Sequence, residues 1–185
     1  MNNGNGNGSH SLVGGVVAGA IGGVVASWVM NVFMESAGPT IQHAAAHLDG
    51  TAHQPQPQQQ NEDDAPKEDA TMKAADAVVS IVTGGRYLSF EEKQKGGPIV
   101  HYVFGGLMGA LYGAAAEYSS IPRAGFGTAF AGALFAGADL WAVPTLKLSG
   151  SSSNAPVSSL ATPFSAHLVY GITTEAVRRA VRSAL

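Results

Sequence analysis

Three side chains stand out by chemical type in an otherwise apolar part of the chain: His101, Asp139 and His167. An imidazole changes charge near neutral pH and a carboxylate can exchange a proton with it, so an Asp and a His held at one depth form a possible relay. Two histidines and a carboxylate are also acceptable metal ligands. They come from separate segments without ligand spacing, however, and no metal or cofactor is expected. A second ionisable set lies near the ends of the apolar runs: Glu117, Arg123, Glu175, Arg178 and Arg179. Glu175 has arginines at i+3 and i+4, the spacing at which a helix brings side chains together, so salt bridges are the simplest use of this set. Nucleophile elbow, phosphate loop, zinc-protease helix and dinucleotide fingerprint are all missing from the sequence, and no enzymatic activity is expected.

The elements that must position these groups follow from the distribution of charge. Of the 13 acidic and 10 basic residues, 10 acidic and 5 basic ones lie between Glu35 and Lys95, which leaves the rest of the chain almost uncharged. A disordered Asn/Gly tail (1–10) precedes a first apolar span at 11–35, long enough as a helix to cross a bilayer. No Lys or Arg precedes that span, which argues against a cleaved signal segment. Residues 36–71, with their Gln/Pro run and acidic cluster, read as a polar, largely disordered loop. Next come a short amphipathic helix and connector (72–96), with apolar residues at Ala74, Ala77, Val78, Ile81 and Val82 and a stop at Gly84-Gly85. Further spans are expected at 97–118, 125–146 and 160–178, separated by a Ser-rich loop (147–159) and followed by a basic tail (179–185). The fold class is therefore all-α: a polytopic membrane helix bundle of four transmembrane helices plus one amphipathic helix. Basic residues near the span ends favour cytoplasmic termini, with Lys93, Lys95 and Lys147 opposing.

The 24 glycines are roughly twice ordinary usage, and many fall inside the apolar runs. They form seams at intervals of four: Gly15, Gly19 and Gly23 in the first span, Gly105, Gly109 and Gly113 in the second, Gly125, Ala129, Ala133 and Gly137 in the third. Such seams let helix backbones touch in lipid, where there is no hydrophobic drive between helices. A faint internal likeness is also present. Ala18-Gly19-Ala20 with Trp28 matches Ala131-Gly132-Ala133 with Trp141, and His101-Tyr-Val-Phe-Gly105 matches His167-Leu-Val-Tyr-Gly171. Tandem two-helix units and chance similarity in apolar sequence both account for it.

Three segments carry a family likeness: Gly96-Gly97-Pro98-Ile99-Val100-His101-Tyr102-Val103-Phe104-Gly105 through Gly113, Ala138-Asp139 with Val143-Pro144, and His167 through Arg179. Over roughly Ala74 to Arg182 the chain resembles the YagU-like family of bacterial inner-membrane proteins. The resemblance implies a small multispanning inner-membrane protein from a family without an established biochemical activity. Leu140 stands where a second acidic residue is expected in relatives, so the resemblance carries over neither a carboxylate pair nor a catalytic residue.

With no cysteine and a net charge of −3, the sequence excludes disulfides, thiolate chemistry and a basic nucleic-acid footprint. The expected partners are the lipid bilayer and, through the glycine seams, a second copy or another membrane protein. Two functions follow from these readings: a helix-packing or accessory membrane component, and a proton-linked or small-solute transport protein using Asp139 and His167.

Overall fold

A computed structural model describes residues 11–48, 50, 68–148 and 157–185. The expected tail at 1–10, half of the polar loop and most of the Ser-rich loop lie outside them. The described residues form helices and no strand: α1 (Leu12–Leu48), α2 (Ala70–Thr83), α3 (Phe90–Tyr118), α4 (Thr128–Phe135), a π-helical segment (Ala136–Ala142), α5 (Val143–Thr145) and α6 (Val157–Ala184).

Helix α1 has 37 residues, about 55 Å at 1.5 Å per residue, and it continues well past residue 35, where the polar loop was expected to begin. Pro39 removes one amide from the ladder, yet the helix persists through Ala44-Ala45-Ala46, the strongest helix formers available. Across from this stretch the Thr162 hydroxyl of α6 donates to the Gly38 carbonyl at 3.1 Å, a tertiary contact that holds the helix there.

α1 sits between two neighbours. Gly15, Gly19 and Gly23 face α3, where added methyl groups would overlap the carbonyl oxygens of Gly113, Gly109 and Gly105 respectively. One position earlier in each pair, Gly14 and Gly22 face α6: a methyl at Gly22 would stand 2.8 Å from the Thr174 carbonyl oxygen, and one at Gly14 3.0 Å from the Arg182 guanidinium. Successive residues are about 100° apart on a helix, so the adjacent pairs Gly14-Gly15 and Gly22-Gly23 give α1 two small faces. Both neighbours run antiparallel to α1, which brings the start of α1 to the ends of α3 and α6.

On the far side of α6 lies α4, and here the expected seam is corrected. Gly125 belongs to the turn before the helix, at φ 60°, and a methyl at Gly137 would meet nothing within 4 Å. Ala129 and Ala133 are exposed. Because α4 begins only at Thr128, its buried face is displaced by two residues: Ala131 and Phe135 point inward, and the Gly127 and Ala131 positions meet Gly171 of α6.

The internal likeness is not repeated in the packing. Gly105 lies against Gly23 and Ser27, whereas its counterpart Gly171 lies against Gly127 and Ala131. The sequence match pairs Gly127 with Gly14, not Gly23. The two helix pairs therefore dock nine residues, about 13 Å, out of register.

Two helices, α1 and α3, are long and apolar enough to cross a membrane, where four were expected. The third run ceases to be an α-helix at Phe135 and widens into π geometry, Val143 N–H bonding to the Ala138 carbonyl five residues back. The widening ends at Pro144, which has no N–H to offer the Leu140 carbonyl. α6 is long enough, but Ser158, Ser159, Thr162, Ser165, His167, Thr173 and Thr174 dilute it and Arg178, Arg179 and Arg182 charge its last turns.

α2 docks outside this bundle on the start of α3. Asp69 caps its N-terminus by accepting from Met72 N–H at 2.8 Å, and Gly84 ends it in the left-handed conformation. Ser89 and Glu92 form a capping box that starts α3 seven residues before the expected boundary. Asp76 ties the two together by accepting from Leu88 N–H at 2.6 Å and pairing with Lys93 at 3.1 Å. The Leu88 amide first, and Lys93 after it, hold the Asp76 carboxyl below the usual carboxylate range.

The glycine contacts generate a paired prediction of opposite sign. Gly109→Ala drives a methyl into the α1 backbone and should destabilise the protein by about 1–3 kcal/mol, the ordinary cost of overpacking. Gly132→Ala enters open space and should stabilise by up to about 1 kcal/mol through helix propensity. Unfolding midpoints in detergent micelles check both, and equal effects at the two positions would refute the close α1–α3 approach.

Candidate functional site

The bundle holds two polar groups at opposite ends of its interior. At the end where α1 begins, Glu175 of α6 is wholly buried, as are Tyr112 of α3 and Thr174 beside it. Tyr112 Oη donates to Glu175 Oε2 at 2.7 Å, Arg178 Nε donates to the same oxygen at 2.8 Å, and Arg178 Nη2 reaches Oε1 at 3.1 Å. Arg179 Nε adds a fourth bond to Oε1 at 2.6 Å. Next to this group Arg182 grips Glu117 with two bonds of 2.9 and 3.0 Å, and Arg178 Nη1 stands 3.7 Å from Glu117 Oε1. The two carboxylates are thus linked through Arg178, and α3 is fastened to α6 at Tyr112 and again at Glu117.

A buried carboxylate is tolerated only when its lone pairs are filled, and here arginines and a phenol fill them. The phenol also anchors the remaining helix, since its ring lies 4.8 Å from that of Phe130 on α4. Among the residues singled out from sequence, Glu117, Glu175, Arg178 and Arg179 come together, while Arg123 lies in the exposed turn after α3 and takes no part in this group. Arg182 and Tyr112 were missed. For Arg182 a signal was present, because 175, 178 and 182 lie on one helical stripe. Tyr112 lies 63 residues away from Glu175 and offered none.

At the opposite end, Asp139 of the π-helical segment stands with Oδ2 3.5 Å from His167 Nδ1. The same nitrogen lies 2.9 Å from the Pro163 carbonyl, which can only accept, so Nδ1 carries the hydrogen and a neutral ring presents a bare Nε2. Phe135 stacks edge-on against His167 with centroids 5.5 Å apart and fixes the ring's other side. His101 does not touch this pair, although it is within electrostatic reach of His167 and of Asp69 at the start of α2. Its Nε2 atom is buried without a hydrogen-bond partner among the described residues. No group of three metal-ligating side chains occurs among the described residues.

Between the two ends, Tyr170 donates its phenol to the Gly105 carbonyl and Thr174 bonds back to the Tyr170 carbonyl at 2.8 Å. Both hydroxyls end on backbone, that of Tyr170 across to α3 and that of Thr174 within α6, so they pass no proton from one polar group to the other.

No family model matches the chain, and no curated protein or solved structure matches it either. The likeness to the YagU-like family therefore rests on the sequence segments alone.

The arginine-filled carboxylate predicts a graded response. Glu175→Gln leaves Arg178 buried with half its bonds and should cost about 3–5 kcal/mol. Tyr112→Phe keeps the volume, loses one charge-assisted bond and should cost about 1.5–3 kcal/mol. Denaturant unfolding in micelles measures both, and a Glu175→Gln protein as stable as the parent would show that the network contributes nothing to the fold.

Proposed function

We propose that this chain is a multi-pass integral membrane protein, of the inner membrane if the YagU-like resemblance holds, that works as a non-enzymatic helix-packing or accessory component. One observation carries the reading. The large apolar side chains point away from the bundle and the small and polar ones point into it. On α1 the exposed residues are Val13, Val17, Ile21, Val24, Trp28 and Val32, opposite a face of glycine, alanine and serine. On α3 they are Ile99, Val103, Leu107 and Leu111. Water would penalise such a surface, because soluble proteins rarely expose contiguous apolar stripes. Lipid rewards it, and packing of small residues with buried hydrogen bonds then becomes the force between helices.

In this reading α1 and α3 cross as apolar spans, while the α4–π–α5 run and α6 cross beside them with their polar faces turned inward. Trp28 and Trp141, both exposed, mark the interface at the end opposite the arginines. Single cysteines in this cysteine-free chain test the topology. Ser120→Cys and Ser183→Cys should react with a membrane-impermeant maleimide from one side of the membrane, and Ser152→Cys from the other. Labelling of Ser152→Cys and Ser183→Cys from the same side would leave the second helix pair outside the membrane.

The Asp139–His167 contact favours a second reading, proton-linked or small-solute transport. A carboxylate and an imidazole placed together at membrane depth are a functional pair by default, and π-helical segments cluster at functional sites. Under this reading Asp139→Asn inserts normally and abolishes proton flux in proteoliposomes. Unchanged flux would dismiss transport and leave the packing role.

A further inference from the structure

The arginine-rich end has more positive charge than its own acids use. Four arginines gather there, Arg123, Arg178, Arg179 and Arg182, against two carboxylates, Glu117 and Glu175, in a chain whose overall charge is −3. Arg178 and Arg182 are spent on those carboxylates. Arg179 commits only its Nε among the described residues, and its side chain is 55% exposed. Its guanidinium lies 4.7 Å from the centre of the Phe126 ring, which holds it in place while leaving its outer edge open. Phe126 belongs to the same turn as Arg123, its N–H bonding to the Arg123 carbonyl at 3.0 Å, and Arg123 is exposed and without an ion pair among the described residues. An open guanidinium edge and a free arginine are therefore carried on one small piece of structure.

The position of that turn identifies what it meets. Leu107, Leu111 and Tyr118 lie on one exposed stripe of α3, which runs directly into the turn. We infer that the Arg123–Arg179 turn binds the phosphate headgroup of an anionic phospholipid, whose acyl chain lies along the Leu107–Leu111 stripe. Guanidinium groups match a phosphate diester by paired N–H···O bonds, and basic sites between helices at the membrane surface are suited to acidic headgroups. A free acidic peptide would satisfy the charge but would leave the apolar stripe without a role. The inference rests on the membrane reading above, and the two fail separately.

The test uses the full chain purified in a neutral detergent. Native mass spectrometry measures the affinity for phosphatidylglycerol and for phosphatidylcholine with the same acyl chains. Phosphatidylglycerol should bind the parent more tightly than phosphatidylcholine does; it should bind Arg123→Gln about fivefold and Arg123→Gln/Arg179→Gln about thirtyfold more weakly than the parent, with Arg123→Lys between the parent and Arg123→Gln and the opposite-end control Lys95→Gln near the parent. Thermal unfolding of each variant without lipid confirms that it is folded, and Arg123→Gln, which loses no described contact, keeps the test open if the double variant unfolds. Equal affinity for the two lipids, an affinity insensitive to Arg123→Gln, or competition by inorganic phosphate as effective as by the lipid would overturn the proposal. A chain that stays monodisperse after the detergent is removed would refute the membrane reading itself.

Discussion

α1 lies with its backbone against two helices at once, and the rest of the bundle is arranged around that fact. At Gly15, Gly19, Gly22 and Gly23 no side chain of α1 stands between the helices, so its distance to α3 and to α6 is set there by carbonyl oxygens and Cα atoms. This is why α3 and α6, on either side of so thin a helix, come close enough for Tyr112 to reach Glu175 and for Arg182 to reach Glu117. A bulkier α1 would push them apart and strand two buried carboxylates. The glycine seams and the ion pairs are thus one device, in which the first brings the charges within reach and the second makes the close approach worth keeping.

This arrangement reverses the usual division of labour in a folded chain. Most domains gain stability by hiding large apolar groups, whereas here valines, leucines and tryptophans form the outer surface and the interior is built from glycine, alanine, hydroxyls and charge. Arginine suits such an interior because its planar fork fills two acceptor sites at once and its charge is permanent. The polar groups at the two ends differ in character. Around Glu175 every acceptor is occupied, which makes a fastener. Around His167 and Asp139 the contacts are fewer and longer, and His101 Nε2 is buried without a partner among the described residues.

Much of the helical architecture could be read from the sequence, because runs of apolar residues and intervals of four survive in a single chain. The α1–α3 seam was visible in Gly15, Gly19 and Gly23, and the C-terminal end of α2 in Gly84-Gly85, whereas its Asp69 cap was not read. The α1–α6 face was hidden in plain view, since Gly14 and Gly22 look like the same seam until the geometry shows that each neighbour of a pair faces a different helix. The third seam was misplaced because spacing alone does not tell where a helix begins: with the turn extending to Gly127, the register moved by two and Ala131 replaced Ala129. The extension of α1 to Leu48 was missed because proline and glutamate outweighed three alanines and a contact 124 residues away. The Asp139–His167 approach depends on π geometry, which no spacing rule anticipates.

The placement of α1 also sets an order of events. Gly22 of α1 is synthesised about 150 residues before Thr174, the α6 residue it rests against, an interval on the order of ten seconds at roughly 5–20 residues per second. During that interval one of its two bare faces has no final partner. Until α6 is made, the Gly14–Gly22 face of α1 stays open to other partners, so the order of synthesis as well as the finished contacts bears on what it meets first.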